Sequence, residues 1–388
     1  MLNSKLTILP QYLKKGGYKT AMFGKWHLGG NSKHPEYMPH KRGFDTALFT
    51  GNQLKRFDPG LNHNGDNEQF KGYCVDVLFS EFMKWTDNHN SDSAPYFAYI
   101  ATSAPHVPLA APKEFTDMYV DAPLSEKPKT YYAMISNIDA NFGKLLAWLD
   151  GRKQKRRETI VIFMTDNGHA ISGAGGVGHN KYGFQGKNGL YNANMRGGKA
   201  QPWHGGTCVP FFMRWPGVIK RGRDDNTLTS AMDILPTLVE IAGVPYTDPG
   251  IQGTSLLPNI LQRPTHIPDK RLLFSHKGRW HSSEFLEDYK YVYVSVFSKR
   301  HRLVWNEGQF PELFDYVSDP QETKNVIRDH PELVAAMKST YDKWWEGAKQ
   351  CMTNDLEQIR TGKFVVRSKG GNPAKWREQE QKIRGRQE

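Results

Sequence analysis

The sequence has few cysteines and no long apolar run, and each absence excludes a class of protein. Its three cysteines, Cys74, Cys208 and Cys351, are widely spaced, and they form neither a C-x-x-C motif nor the framework of a disulfide-rich protein. No apolar stretch approaches the length of a membrane span. Residues 1–7 lack the apolar core of a secretory signal peptide. None of these features assigns the chain to a compartment.

Acidic residues are scarce relative to basic ones. The 388 residues include 52 Lys and Arg against 40 Asp and Glu, which gives a formal net charge of +12 at pH 7. A basic balance suits an acidic partner such as a sulfated glycan or a nucleic acid, although solvated surface accounts for much of such an excess in ordinary proteins. With 38% hydrophobic and 12% aromatic residues, the chain is globular and long enough for more than one domain.

The pattern of apolar residues predicts alternating helices and strands up to about residue 265. Helical spacing predicts a short helix around Leu9 and longer helices over 73–85, 131–149 and 231–241. Aliphatic and aromatic runs predict buried strands over 95–101, 159–165 and 209–215. Residues 31–70, rich in Asn, His, Pro and Gly, predict a long surface loop. This alternation favours an α/β fold with a mixed, largely parallel sheet flanked by helices.

The pattern of predicted secondary structure changes after Pro264. Short strands are predicted over 271–275, 290–297, 302–305 and 312–316, followed by a closing helix over 331–345. This pattern indicates a smaller antiparallel sheet with one helix. We therefore divide the chain into an α/β domain over 1–265, an antiparallel subdomain over 266–362 and a basic, polar tail over 363–388.

The first candidate site lies in a glycine-studded segment over 16–29. Lys25 and His27 are two residues apart there, and such residues point to the same side of an extended segment. An ammonium group and an imidazole facing one cleft suit an anionic ligand, because one supplies fixed charge and the other a movable proton. For an isolated Lys-x-His, a lysine and a histidine at the rim of a half-buried strand is the plainer interpretation.

Two further candidates follow predicted strands. Asp166 and Asn167 come directly after the strand over 159–165, and their hard oxygens suit Ca²⁺ or Mg²⁺. A strand-ending turn is the plainer interpretation of Asp-Asn-Gly. His106 follows the strand over 95–101 and lies between Pro105 and Pro108, which fix the backbone as a catalytic group requires. A histidine between prolines is otherwise an ordinary loop residue.

These segments together resemble the sulfatase family of the alkaline phosphatase superfamily. The resemblance spans about residues 4–345 and rests on the following stretches: Gly-Tyr-x-Thr-Ala-x-x-Gly-Lys-Trp-His-Leu-Gly over 17–29, residues 39–45, Pro-His-x-Pro over 105–108, Thr-Asp-Asn-Gly over 165–168, Arg-Gly-Gly-Lys over 196–199, residues 232–238, residues 253–258, and residues 312–325. It implies an alkaline phosphatase-like α/β fold and hydrolysis of aryl or carbohydrate sulfate esters.

The resemblance also implies roles for particular residues. Lys25 and Lys199 would bind the sulfate, His106 would lie near the leaving-group oxygen, and His27 would orient the nucleophile and exchange its proton. The catalytic set is therefore Lys25, His27, His106 and Lys199, and the metal ligands, usually to Ca²⁺, are Asp166 and Asn167.

Two positions depart from the family pattern Glu-Gly-Gly-x-Arg-Val-Pro. His204 stands where the acid is usual and Cys208 where the arginine is usual, whereas Gly205, Gly206 and the Val-Pro pair at 209–210 agree. Neither departure removes a catalytic group implied by the resemblance. Because of them, we expect the local packing or charge balance of this segment to differ from the family pattern.

The family nucleophile is a formylglycine, made from the first residue of Cys/Ser-x-Pro/Ala-x-Arg, and the printed sequence does not contain this motif. Cys208 begins a partial match, but Phe212 replaces the arginine and the stretch belongs to a different landmark, so we reject it. In the family the nucleophile and a pair of metal-binding aspartates precede the segment that contains Lys25. We therefore expect an N-terminally truncated chain, inactive alone, whose intact form is exported.

Two alternatives remain open at this stage. A phosphodiesterase or phosphonate hydrolase of the same superfamily would share the metal site and an anionic tetrahedral substrate. A non-catalytic remnant could instead bind sulfated glycan through its Lys and Arg residues. We expect a sulfated small molecule or glycan as the partner, with no nucleic acid and no membrane span.

Overall fold

The computed structural model describes residues 2, 5–30, 34–51, 54–89, 94–152, 159–169, 191, 193–248, 250–264, 267–278, 287, 289–306 and 309–360. Its helices run over Leu9–Lys15 (α1), Cys74–Asn88 (α2), Lys113–Thr116 (α3), Glu126–Gly151 (α4), His204–Thr207 (α5), Ile234–Ile241 (α6), Leu257–Ile260 (α7) and Pro331–Arg360 (α8). Its strands run over Lys19–Lys25 (β1), Thr46–Thr50 (β2), Gly60–His63 (β3), Asp66–Gln69 (β4), Tyr96–Ala101 (β5), Val161–Met164 (β6), Phe211–Arg214 (β7), Leu273–His276 (β8), Val294–Phe297 (β9), His301–Trp305 (β10) and Glu312–Asp315 (β11).

The largest sheet within the described residues has the order β4-β3-β2-β1-β5. Its centre is parallel: β1 pairs with β2 on one side and with β5 on the other. The hairpin of β3 and β4 extends it in the antiparallel direction. The sheet is therefore mixed with a parallel core, as the alternation of helices and strands predicted.

The two faces of β1 pack against different layers because successive side chains in a strand point to opposite sides. Ala21 and Phe23 join the buried cluster that α2 and α4 form with the sheet. Met22 points to the other face, where it packs with Phe44 and Phe49. Apolar side chains on both faces explain why the strand is a continuous buried run rather than an alternating one.

The C-terminal part forms a second sheet with the order β11-β10-β9-β8, antiparallel throughout. One face buries aliphatic side chains against the aromatic face of α8, where Tyr341 and Trp345 are fully buried. The opposite face contributes Val304 and Phe314, which pack on Trp203 from the first part of the chain. The expected antiparallel sheet with a closing helix is confirmed.

Several boundaries differ from the sequence-based expectations. The region 31–70 is not a continuous surface loop, because it contains β2, whose central residues Ala47, Leu48 and Phe49 are buried beside β1. Its many polar residues belong to the turns around that strand and to the exposed strand β4. Three apolar residues between polar flanks are too short a signal for a strand to be predicted from the pattern alone.

The strands predicted as fully buried are shorter and more exposed than expected. The predicted run over 159–165 forms a strand only over Val161–Met164, which is half-buried and pairs antiparallel with β7. In β5, which is parallel as expected, Tyr99 is 49% exposed because β5 borders the described sheet. By contrast, the helices predicted over 73–85, 131–149 and 231–241 correspond to α2, α4 and α6, the last preceded by a 3₁₀ turn over Ala231–Asp233.

None of the helices among the described residues is both long and apolar enough to cross a membrane. The basic tail predicted over 363–388 lies outside the described residues.

Candidate active site

Three neighbouring parallel strands bring three functional segments to one edge of the sheet. The order β2-β1-β5 places Lys25 at the carboxyl end of the central strand. The segment that carries Arg56 follows β2 on one side, and the loop that carries His106 follows β5 on the other. Ligands bind at this edge in open α/β sheets, because loops from adjacent strands converge there.

A glycine makes room for this convergence. Gly24, directly before Lys25, has φ +117°, and a Cβ built on it would lie 2.1 Å from the carbonyl oxygen of Ala101 at the end of β5. Only glycine fits a backbone approach as close as this. Lys25 therefore follows immediately after the closest contact between β1 and β5.

Lys25 and His27 lie in a strongly positive environment. Burial and the charge of Lys199 lower the pKa of Lys25, Asp166 raises it, and Arg56 lowers it again. Burial also lowers the pKa of His27, together with the charges of Lys25, His106 and Lys199. His27 is therefore neutral at pH 7 and holds an unprotonated ring nitrogen, as a proton acceptor requires.

The loop over 103–108 fixes the imidazole of His106. The ring Nδ1 lies 2.7 Å from the carbonyl oxygen of Val107, and since a carbonyl only accepts, Nδ1 carries the hydrogen. The reactive nitrogen of His106 is therefore Nε2. The peptide bonds before Pro105 and Pro108 are both cis, and the amide of His106 donates to the carbonyl of Ser103 at 3.0 Å.

Asp166 and Asn167 stand at the carboxyl end of β6. The side-chain Nδ2 of Asn167 donates to the Gly168 carbonyl at 2.8 Å, which leaves its Oδ1 as an available ligand atom. The Asp166 carboxylate is exposed and makes no hydrogen bond or ion pair within the described part of the chain. Two hard oxygens without partners fit a Ca²⁺ or Mg²⁺ ion, although such an ion takes about 6–8 oxygens for Ca²⁺ and six for Mg²⁺.

These two residues provide only part of a metal site. Among the described residues, no group of three or more His, Cys, Asp or Glu side chains converges as a metal site would require. The donor set therefore suits a hard cation held jointly with oxygens from elsewhere.

Lys199 is tied to this metal-ligand turn through the backbone. Its amide donates to the carbonyl of His169 at 2.9 Å, and the amide of Gly168 donates to the carbonyl of Gly206 at 3.2 Å. A Cβ on Gly168 would lie 1.8 Å from the Gly205 carbonyl oxygen, so a side chain there would force the two segments apart. The turn after β6 and the segment over 196–206 consequently form one unit.

The residues at 204 and 208, where the family pattern is broken, face a buried ion pair from the C-terminal sheet. Arg302 Nε lies 3.0 Å from Glu322 Oε1, and the two side chains are 3% and 0% exposed. The other Glu322 oxygen accepts the backbone amide of His204 at 2.8 Å, and Arg302 Nη1 donates to Thr207 Oγ1 at 2.7 Å. Charges from β10 and the loop after β11 thus stabilise the segment in which the expected acid and arginine are missing.

This environment sets the protonation of His204 and Cys208. Burial, with the Arg302 charge, lowers the pKa of His204 to about 4, so the ring is neutral at pH 7. The Cys208 residue is exposed at the surface, but desolvation by the surrounding chain raises the pKa of its thiol, which keeps it protonated and poorly nucleophilic. The rejection of Cys208 as a nucleophile remains a prediction, and its chemistry here agrees with it.

The structure therefore brings together the groups that the sequence singled out, namely Lys25, His27, His106, Lys199 and Asp166, with Asn167 beside Asp166. Sequence reasoning missed Arg56, which lies within the region predicted as a loop. The available signal was a pair of basic residues, Lys55 and Arg56, between the apolar Leu54 and Phe57. That pattern is too common to identify a buried arginine.

Comparison with known proteins gives several similar sulfatases. The chain is 30% identical over 305 residues to N-acetylgalactosamine-6-sulfatase of Rattus norvegicus, covering 73% of this chain and 53% of that protein. It is 29% identical over 304 residues to the uncharacterized sulfatase YdeN of Escherichia coli (strain K12), covering 72% and 51%. The chain thus spans about half the length of these curated relatives.

Solved structures share the fold. The crystal structure of Ps i-CgsB in complex with k-i-k-neocarrahexaose superposes with a TM-score of 0.77 at 24% identity, covering 88% of this chain and 75% of that one. The phosphonate monoester hydrolase of Agrobacterium radiobacter superposes with a TM-score of 0.57 at 18% identity, covering 88% and 81%.

Two family models match the chain. The model described as N-sulphoglucosamine sulphohydrolase, C-terminal, matches residues 203–346. The model described as Sulfatase matches residues 2–244, which is more than half of the chain, so the chain belongs to the sulfatase family.

Proposed function

We propose that this chain binds the sulfate group in a sulfuric ester hydrolase that acts on sulfated carbohydrates or aryl sulfates. The observation that supports the proposal is that Lys25 and His27 at the end of β1 and His106 after β5 share the carboxyl edge of the sheet, where the charges of Lys199 and Asp166 also act on Lys25. An anionic tetrahedral group is the ligand that matches several cations and a movable proton next to a metal-ligand pair.

The two lysines would neutralise the sulfate. Burial lowers the pKa of Lys25 most and the charge of Lys199 lowers it further, which supports an arrangement in which both ammonium groups act on one anion. An anion placed between them removes that repulsion, and the stabilisation increases as negative charge builds on the sulfate oxygens in the transition state. Binding of sulfate should accordingly raise the pKa of Lys25.

The two histidines would handle protons at opposite ends of the reacting group. His106 would direct Nε2 at the leaving alcohol oxygen, because Nδ1 is held by the carbonyl of Val107. His27, neutral because its pKa is lowered, would accept a proton from the nucleophile side. Together with Lys199 at the leaving group, this arrangement suits hydrolysis of an ester whose alkoxide needs protonation.

The residues also fit the groups that the family uses for this reaction. Asp166 and Asn167 would hold a divalent cation through a carboxylate oxygen and Oδ1. When present, that cation and a formylglycine supply Lewis acidity and the nucleophile.

The experiment compares the printed chain with a restored enzyme. We define the restored enzyme as this chain joined to the nucleophile segment of a related sulfatase, with formylglycine installed. The printed chain is expected to hydrolyse no aryl sulfate, and the restored enzyme is expected to do so. Turnover by the printed chain that survives Cys208→Ala would contradict the proposed division of the active site.

A phosphodiester or phosphonate hydrolase is the second candidate, and the fold shared with phosphonate monoester hydrolase favours keeping it. Parallel assays of the restored enzyme on an aryl sulfate and an aryl phosphodiester decide between the two. Sulfated-glycan binding without catalysis is the third candidate. It would be supported if the restored enzyme bound a sulfated glycan, with Lys25 and Lys199 contributing, and cleaved neither ester.

A further inference from the structure

Arg56 is a buried cation next to the candidate active site, and no role has been assigned to it above. Its side chain belongs to a residue that is 4% exposed, in the segment that follows β2. Its backbone carbonyl accepts the amide of Cys74 at 2.8 Å, which fixes Arg56 to the start of α2. An arginine is rarely buried to this degree unless it is paired or bound by several acceptors.

The guanidinium group binds the backbone of the loop that carries His106. Arg56 Nε donates to the Pro108 carbonyl at 3.1 Å, and Nη2 donates to the carbonyls of His106 and, at 3.4 Å, Ser103. Nη1 lies 4.0 Å from Cys74 Sγ. One side chain therefore bridges both ends and the middle of a six-residue loop.

No carboxylate neutralises this charge within the described part of the chain. Carbonyl oxygens solvate the guanidinium group without cancelling its charge, and that charge reaches the site, where it lowers the pKa of Lys25. The planar fork of five donors suits arginine to this task, whereas a lysine ammonium at the same place cannot span the three carbonyls in one plane.

We propose that Arg56 is a positioning residue for His106, acting as a clamp on the backbone of residues 103–108. This inference deepens the proposed function and rests on it for the catalytic consequence, but not for the clamp itself. By holding the carbonyls of Ser103, His106 and Pro108 together, Arg56 keeps the imidazole at a fixed distance from Lys25 and the bound ester.

The first test does not depend on activity. Hydrogen exchange at the amides of His106 and Val107 is measured in the printed chain and in the restored enzyme, with and without Arg56→Lys. The clamp predicts slow exchange in the unchanged protein and a rise of about tenfold or more in the variant, with the melting temperature little changed. Fast exchange in the unchanged protein, which needs no variant to observe, would overturn the proposal.

The second test measures catalysis in the restored enzyme. Arg56→Lys should lower kcat/KM by about 10²-fold for a sulfated sugar, the size of effect expected from a misplaced catalytic group, with the loss mainly in kcat. For 4-nitrophenyl sulfate the loss should be below about tenfold, since a good leaving group needs little protonation. A general weakening of the fold would lower turnover of both substrates alike.

The matched control is Arg223→Lys. Arg223 also binds two backbone carbonyls, those of Ile260 at 3.0 Å and Asn259 at 2.6 Å, but it does not act on Lys25 or His27. It should leave exchange at His106 and the difference between the two substrates unchanged. Equal losses on both substrates for Arg56→Lys, or exchange at His106 no faster than in the control, would overturn the clamp. If the unchanged restored enzyme cleaves no sulfate ester, the proposed function fails while the exchange test still decides on Arg56.

Discussion

Two of the buried arginines, Arg56 and Arg302, lie in different regions of this molecule and are accommodated in opposite ways. Arg56 lies beside the candidate active site and is held by backbone carbonyls. Arg302 lies where the C-terminal sheet meets the segment over 196–208, and it is paired with Glu322 at 3.0 Å. The two are equally inaccessible, at 4% and 3% exposed, so burial does not account for the difference.

The local chemistry does account for it. A carboxylate beside Arg56 would cancel positive potential where an anion is to be bound, whereas carbonyl oxygens leave most of that potential in place. We call the place where the C-terminal sheet meets the segment over 196–208 the joint. No ligand needs the charge of Arg302 at the joint, and an unpaired buried cation there would lower the stability of the fold. A buried arginine without an acidic partner is therefore a better pointer to an anion site than a buried ion pair is. The predictions below test this contrast, from the largest expected effect to the smallest.

The active-site region should change activity far more than stability. In the restored enzyme, His106→Ala should lower kcat/KM by about 10²–10⁴-fold, because the leaving alcohol loses its proton donor. The loss should be smaller for 4-nitrophenyl sulfate than for a sulfated sugar, as measured by steady-state kinetics. A folded His106→Ala enzyme with near-normal turnover of the sugar would contradict the assignment. Lys375→Ala in the basic tail is the control and should leave turnover unchanged.

Substitutions at the joint should change the stability of the fold rather than the activity. Glu322→Ala leaves the Arg302 charge buried and unpaired, so we expect a loss of about 3–5 kcal/mol in the free energy of unfolding, measured with urea. The double variant Arg302→Met with Glu322→Gln should recover much of this loss, because Gln can still accept the amide of His204. A double variant as unstable as Glu322→Ala would mean that the charges themselves are required at the joint.

Lys199 belongs to both regions, because its segment packs against the joint while its charge acts on the candidate active site. A variant at this position therefore shows whether activity or stability depends on it. Lys199→Ala in the restored enzyme should lower kcat/KM by about 10²–10³-fold, the scale seen when one preorganised charge is removed. Its melting temperature should stay close to that of the parent enzyme. A large fall in melting temperature with little loss of kcat would place Lys199 with the joint instead.

Acid should weaken the C-terminal sheet through His276. Burial lowers the pKa of this ring to about 4, although the hydrogen bond between Nε2 and the Tyr289 carbonyl at 2.9 Å raises it, and Nδ1 accepts the Gly278 amide. A histidine with a depressed folded pKa stabilises the fold above its ordinary pKa of about 6.5, and that contribution is lost as the pH falls towards 4. We expect a loss of about 3 kcal/mol between pH 7 and pH 4.

Urea unfolding at a series of pH values checks this expectation. His276→Gln should be less stable than the parent at pH 7 and should lose less stability on acidification. His204, whose pKa is also lowered to about 4, remains in the variant, so part of the dependence of stability on pH should persist. Identical pH profiles for parent and variant would exclude His276 as a source of the acid sensitivity.

Calcium should have the smallest effect on the printed chain. Asp166 and Asn167 offer two oxygens of the roughly 6–8 that Ca²⁺ takes, so at a calcium concentration near a weak dissociation constant the gain is about 0.4 kcal/mol. The restored enzyme should gain more. A tight, stoichiometric site in the printed chain, seen by calorimetry and lost in Asp166→Ala, would be inconsistent with a partial donor set.

The sequence predicted the candidate catalytic residues better than the buried residues that hold them in place. Lys25, His27 and His106 could be found because they lie in short, glycine- or proline-rich stretches that constrain the backbone locally. Arg56 and Arg302 could not be found this way, since their partners are distant in the chain. Only the folded order of the strands places Arg56 against residues 103–108.

The fold itself was predicted where the periodic signal is long. Helices α2 and α4 extend over several turns, and their apolar spacing is unambiguous. Strand β2 was missed because only three buried residues separate its polar flanks. The half-burial of β6 was missed because an aliphatic run predicts a strand without indicating how many of its faces are covered.

The parallel pairing of β1 with β2 and β5 also has a kinetic consequence. Both pairings at the centre of this sheet join strands that are not connected by a hairpin. The chain must therefore lose the entropy of closing long loops before the strand pairing can stabilise it. Folding should therefore be slow for the α/β part and faster for the antiparallel sheet, whose strands pair with their sequence neighbours. In refolding, the fluorescence of Trp305 and Trp345 should recover before the chain regains any ability to bind sulfate.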